Sequence, residues 1–514
     1  MKLLVEFAAL PVACAITAAG PWLWSSAAVA EVPAPIDQKA LNAMVARDPL
    51  EAFIYAFEAG DELTEALFTA ERGVGAHVAA GQRFTRYPRA DLKGDGEWAQ
   101  HVPAREGGPQ AQACITCHAL PYANGAGDIA VNVAIDPLQS GDMGQFLERN
   151  TLHLFGLGAV QRVAEEMTAE LHAQEAGLAA RVCADGAPAS IDLVAKDVGF
   201  GTLAATPAGE GNACVAAIDR SGVEGADGDL VVRMFGWKGT QATIRAFSRG
   251  AAHNEMGMQA VELVGDHDGD FDGVTRELSV GDMTAMSVYI AGLERPTSKR
   301  ELADLGLYEL SDDERAAIDA GEQHFAAVGC ASCHKPIMTI DDPVYREPSA
   351  TPGFAEAVMP DGMAADAHGL GLANAVRFDL TTDQPNNHVL LEDGIELNLG
   401  AYESDDQGRA IVRWYTDFRR HDMGEGLADP VDAYGFGASV WPTRSLAGVG
   451  STGPWLHHGH ATTLDEAIRA HGGAADDSRT AYEALPAEAQ AELIAFLENL
   501  IIVDLDPEED EADH

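Results

Sequence analysis

Two pentapeptides carry the most explicit chemistry in this chain of 514 residues: Cys114-Ile-Thr-Cys117-His118 and Cys330-Ala-Ser-Cys333-His334. Cys-x-x-Cys-His is the attachment signature of c-type haem. Its two thiols reach the vinyl groups of the porphyrin, and the adjoining imidazole becomes an iron ligand. The expected cofactors are therefore two covalently bound haem c groups, on Cys114, Cys117 and His118 and on Cys330, Cys333 and His334. A thioredoxin-like redox pair or half a zinc site would each need the following histidine to be a coincidence. What each iron does depends on its sixth position. A second strong ligand gives a closed electron carrier, whereas an open position admits a small oxidant.

The other cysteines speak to compartment. Lys2, the mostly apolar run 3–24 and Ala28-Val29-Ala30 before Glu31 fit an export signal over residues 1–30, with which Cys14 would leave. A retained anchor helix is the alternative, although Pro11, Gly20 and Pro21 interrupt the run. In an exported chain Cys183 and Cys214 invite a disulfide, the alternative being two separate buried thiols. The expected location is the periplasm or another exported compartment, with no stable membrane insertion. With 81 acidic residues against 33 Lys plus Arg, the net charge of −48 excludes a nucleic-acid binder, because phosphates reward cations.

Local signals then suggest the elements that position these residues. Ser311-Asp312-Asp313-Glu314 is a capping box that opens a helical pattern running to Val328, just before the second pentapeptide. In 486–500, Leu493, Phe496, Leu497 and Leu500 fall on one helix face. The expected fold class is mainly α: two cytochrome c-like haem domains with long loops and a small β insertion in the first. The domains are expected at 31–300, with the insertion at about 185–235 stapled by Cys183 and Cys214, and at 305–505. Pro296-Thr297-Ser298 marks the break and an acidic tail follows at 506–514. Asp268-Gly269-Asp270-Phe271-Asp272-Gly273 reads like the first half of an EF-hand loop, with calcium as the candidate ion. The pattern fails at Ser279, where a bidentate Glu belongs, so Glu277 or Asp282 would have to replace it. An ordinary acidic turn is the other reading.

Several segments resemble the dihaem oxidoreductase family, which is related to bacterial dihaem cytochrome c peroxidases and to the MauG type of dihaem enzyme. They are Arg149-Asn150-Thr151 through Leu154-Phe155-Gly156-Leu157-Gly158, Phe235-Gly236-Trp237-Lys238, and His253-Asn254-Glu255-Met256-Gly257-Met258. In the second half they are Tyr415-Thr416-Asp417, His421-Asp422-Met423-Gly424, and Gly453-Pro454-Trp455-Leu456-His457 running into Ala461-Thr462-Thr463-Leu464.

The resemblance implies roles. Trp237 would lie between the haems, and Glu255 would stand over the substrate haem as the acid-base residue, with His253 an alternative distal ligand or proton relay. The competing reading makes this stretch a buried turn with Met256 and Met258 in the core. The peroxidases often carry a distal His shortly after the first motif, whereas here the next one is His153, so the first iron is left open between five-coordinate and capped. At the second haem the equivalent position is His471, giving a bis-histidine centre, with His457, His458 and His460 as rivals. Calcium in the related peroxidases would put an ion in the joint between the haem domains. Electrons would enter at the His334 haem from a soluble donor such as a small cytochrome or cupredoxin. Passed on by Trp237 or the haem propionates, they would reduce a peroxide-like oxidant at the His118 haem. The rivals are a plain electron-transfer cytochrome and a MauG-like oxidase that modifies a partner protein.

Overall fold

Val280–Gly292 forms a helix with every one of its 13 residues buried, the pattern of an element surrounded by protein. Ser279 and Asp282 close a capping box at its start, and Asp282 also accepts a hydrogen bond from the Ile36 N–H. The Pro49–Glu65 helix packs along it through Phe53, Ala56 and Phe57. The computed structural model describes residues 32–77, 82–209, 214–391 and 394–505. The expected export signal, Cys14 and the acidic tail lie outside the described residues.

A long helix, Leu157–Asp185, buries its first half in the main core and lays its second half under a three-stranded antiparallel sheet. The strands are Ala189–Ala195, Val198–Ala208 and Val215–Asp219, and the sheet is tied back to the helix by a Cys183–Cys214 disulfide. Lys196 and Asp197 both take positive φ, 48° and 59°, as a two-residue turn matched to strand twist requires. Farther on, Asp312–Ala327 opens with the Ser311–Glu314 capping box and packs against Ala487–Asn499. The contact is main chain to main chain, since a Cβ on Gly321 would lie 2.0 Å from the Glu492 carbonyl oxygen.

The expectation of a mainly α fold with two cytochrome c-like domains is overturned. Among the described residues there are eight small sheets, seven of two strands and one of three, joined by long loops. Met338–Ile340 pairs with Ala410–Val412, and Val344–Glu347 with Val376–Asp379, both antiparallel. The cause is local. Between the second pentapeptide and Leu464, apolar residues come in twos and threes between Gly, Pro and Asp, too short for a helical face but enough for a rung or two of ladder. The largest core joins Phe53, Leu154 and Val288 to Tyr345, Phe378 and Trp414, so residues on both sides of Pro296 share one interior.

Candidate functional site

One cavity of about 530 Å³ is bordered by both pentapeptides, through His118 from the first and Cys330, Cys333 and His334 from the second. Each motif folds as a single tight turn, Cys114–Thr116 and Cys330–Ser332, with the histidine N–H bonded back to the first cysteine carbonyl. This brings two thiols and an imidazole to one side of the chain. The four cysteines are free, and burial pushes the thiols of Cys114 and Cys117 up to about 12. Nδ1 of His118 donates to the Gly125 carbonyl at 3.3 Å, and Nδ1 of His334 to that of Tyr415 at 3.0 Å. Each Nε2 is thereby left with its lone pair for a metal, the usual arrangement of a ligating imidazole. Burial brings both rings down to about 4, so they stay neutral near pH 7.

Beside His334 stands His471, just past the capped helix Leu464–Arg469. Its Nδ1 donates to the Ala467 carbonyl at 2.8 Å, and the two imidazole centres are 6.4 Å apart. Two metal–nitrogen bonds of about 2 Å, with about 1 Å more to each ring centre, need about 6 Å, so one iron fits between them. Of the rivals, His457 also lines the cavity, stacked on Trp441 at 4.1 Å. His458 and His460 continue the stack away from it, at 4.2 and 3.8 Å centre to centre.

Near His118 the cavity is lined by a carboxylate. Glu255 sits in a π-helical turn, Ala252–Met256, that continues the Ile244–Ala251 helix. Such turns rotate successive side chains away from the α-helical register. Glu255 consequently faces the cavity while Met256 and Met258 enter the core. The turn is clamped by its neighbours: the Gln110 and Ala111 N–H groups donate to the Glu255 carbonyl and the Gly75 N–H to that of Met256. Gly257, at φ 87°, ends the turn where a Cβ would meet Gly75 O at 2.0 Å. Burial alone pushes the Glu255 carboxyl up to about 7. His253 does not line the cavity with it. The His253 ring is buried beside Arg105 and His101, where burial and the Arg105 charge hold it neutral.

Trp237 lines the same cavity, its indole N–H donating to the Asn150 carbonyl at 2.7 Å and its ring edge-on to His457 at 6.3 Å. Over that indole, at 5.4 Å, lies the guanidinium of Arg444, which ion-pairs with no carboxylate among the described residues and has a buried, unbonded Nε. Burial and the cations Arg420 and Arg149 bring it down to about 9. No local signal in the chain singles out Arg444, because the lack of a counter-charge appears only once the fold is known. His153 lines the cavity too, its Nε2 bonded to Ala447 O at 3.0 Å. Behind Cys333, His421 pairs with Asp417 at 2.7 Å, a contact that raises the imidazole to about 9.

The acidic loop lies elsewhere. Ligand atoms of Asp268, Asp270 and Asp272 lie within 4.8 Å of one another. Burial and the neighbouring Asp270 push Asp272 up to about 6 and Glu277 up to about 10. Asp282 is engaged as a helix cap and cannot complete an EF-hand. The loop packs on Val102, Arg105 and Gln259, all within 31–300.

A family model described as "Di-haem oxidoreductase, putative peroxidase" matches residues 406–500. Over this stretch the chain is similar to that family. No curated protein matches the chain. This stretch holds His421, Trp441, Arg444, His457 and His471, which line the cavity with the second pentapeptide and Trp237, and Asp417, which pairs with His421 beside Cys333. The family name implies haem cofactors, and the residues present fit them. Two imidazoles on Cys-x-x-Cys-His turns have Nε2 free, a third stands where it can share the iron of His334, and Arg444 offers an unpaired cation to a haem propionate. No helix among the described residues is long and apolar enough to cross a membrane.

Proposed function

We propose that this is an exported dihaem c-type oxidoreductase that reduces a peroxide-like oxidant at the His118 end of the cavity with electrons received at the His334 end. The observation that carries the reading is the asymmetry of one cavity, which has a second imidazole 6.4 Å from His334 and a buried carboxylate on the side of His118. Haem bound through thioethers to Cys114 and Cys117 and to Cys330 and Cys333 would supply the one-electron chemistry. The protein's own residues do the rest. His334 and His471 would hold one iron by two nitrogens, and His118 would hold the other by one. Glu255, with its carboxyl brought to about 7, takes a proton from the near oxygen of the peroxide and returns it to the departing one. The overall balance is one peroxide, two electrons and two protons to two waters. Trp237 fills the space beside Asn150 and His457 with an indole that excludes water from the middle of the cavity. The Cys183–Cys214 disulfide supports export, since such bridges persist in oxidising compartments. A small cytochrome or cupredoxin is the expected donor.

The test is spectroscopic and kinetic. Haem-loaded protein should show one low-spin centre indifferent to cyanide and one that shifts on adding cyanide or peroxide. Two unreactive low-spin centres would leave only the electron-transfer alternative. Peroxide consumption that requires a protein partner, with oxidation of that partner, would favour the MauG-like alternative.

A further inference from the structure

Four of the chain's 7 tryptophans line the cavity: Trp237, Trp414, Trp441 and Trp455. Each indole N–H donates to a neutral oxygen. The acceptors are the Asn150, Leu427 and Val449 carbonyls, at 2.7, 2.9 and 2.9 Å, for Trp237, Trp441 and Trp455, and the Tyr402 hydroxyl, at 3.2 Å, for Trp414. Two of the rings also carry cations on their faces. Lys238 Nζ stands 3.6 Å and the Arg149 guanidinium 5.1 Å from the centre of Trp441, and the Arg444 guanidinium stands 5.4 Å from that of Trp237. Asp429 pairs with both Lys238 and Arg149, so these three charges leave one net positive beside Trp441, and burial keeps the stacked His457 neutral. We propose that Lys238 and Arg444 keep Trp441 and Trp237 reduced, so that the oxidising equivalents of peroxide are met by incoming electrons and are not stored on the protein.

An indole that gives up one electron becomes a radical cation, and its N–H turns acidic. An anion near the ring, or a base able to take the proton, makes that loss easier. These rings have the opposite surroundings. A carbonyl oxygen does not take up a proton at neutral pH, and the attraction between a cation and the electron-rich face of a neutral indole turns to repulsion once the ring is positive. In a buried site water screens that repulsion poorly. Both cations are held in place: Lys238 Nζ donates to the Ala438 and Val440 carbonyls at 2.6 and 2.9 Å, and Arg444 to those of Met234, at 2.7 Å, and Gly236. Electrons then cross the cavity without an oxidised indole as a stepping stone. The inference rests on the peroxide reading for the source of the oxidant, and it sets this chain apart from an enzyme that oxidises a partner through a protein radical.

Haem-loaded full-length protein is mixed with hydrogen peroxide in the absence of a donor, then frozen for electron paramagnetic resonance or digested for peptide mass spectrometry. Oxidation of one indole moves two electrons to one peroxide, adds one oxygen atom to the ring and releases one water. The parent should show no tryptophanyl radical and little oxygen gain at Trp237 or Trp441. K238M should raise the gain at Trp441, and R444Q that at Trp237, by about 10-fold or more, whereas R444K, which keeps the charge, should resemble the parent. K238M leaves Asp429 its two bonds to Arg149, and visible spectra and thermal melts confirm that each variant is loaded and folded. A tryptophanyl radical in the parent, or oxygen gain that K238M and R444Q leave unchanged, overturns the proposal. A parallel arm replaces peroxide with photogenerated tris(bipyridine)ruthenium(III), a one-electron oxidant, and the same order of variants is expected. A centre that ignores peroxide would sink the peroxide reading, while this arm still decides the role of the two cations.

Discussion

The two Cys-x-x-Cys-His motifs each fold as one tight turn, yet the chain treats them differently. His334 follows a capped helix braced main chain to main chain on Ala487–Asn499, and faces another imidazole. His118 follows a loop and shares its cavity with a carboxylate presented by a π-helical turn. Identical attachment chemistry is thus set into one braced, nitrogen-rich surrounding and one in which an ionisable oxygen has been buried. What separates the centres is what stands opposite each pentapeptide, and in both cases that comes from distant sequence.

The comparison breaks hardest if the wrong motif is removed. C114A together with C117A should lose one of the two covalent haems and all peroxide turnover, with the low-spin spectrum of the other centre retained, as a pyridine haemochrome assay and visible spectra would report. E255Q should lower kcat/KM for peroxide by about 10²- to 10⁴-fold without altering haem content. In the parent protein, kcat/KM should fall as pH drops through about 7, because the carboxyl raised to that value by burial is then protonated and cannot accept a proton. E255Q should lack that limb. H471A should open the second centre, so that a spectrum insensitive to cyanide in the parent becomes sensitive. H471M should instead keep it closed at a higher potential, since a thioether ligand raises it. The smallest effect concerns stability. Pairing with Asp417, and next with the Cys333 sulfur, raises His421 from 6.5 to about 9, so the stabilisation is fully present below pH 6.5 and is lost as pH rises through about 9. It amounts to up to about 3 kcal/mol, and thermal melts of D417N should be flatter over that window.

What the sequence could reveal followed the range of each signal. The Ser311–Glu314 capping box and the pentapeptides are complete within a few residues, so they can be read without the fold. The three-residue strands cannot be, because Met338–Ile340 finds its partner at Ala410–Val412 and neither has a periodicity of its own. His253 and Glu255 are two apart, and assigning both to one site assumes a regular backbone. The π-helical turn separates them, sending the carboxylate to the cavity and the imidazole toward Arg105. The acidic loop is legible as a motif, but its companion Arg105 is 165 positions away from Asp270 and appears beside it only in the fold.

The crossing at Gly321 bears on how this protein can change over time. Where two helices touch through their peptide groups, exchanging apolar side chains elsewhere along them alters melting temperature but leaves the helices no slack in which to shift. The span from the C-terminal helix to Cys330 and His334 is then inherited through one missing methyl group. A single alanine at 321 should displace the second imidazole more than several conservative exchanges at Ile318, Phe325 or Leu493 combined.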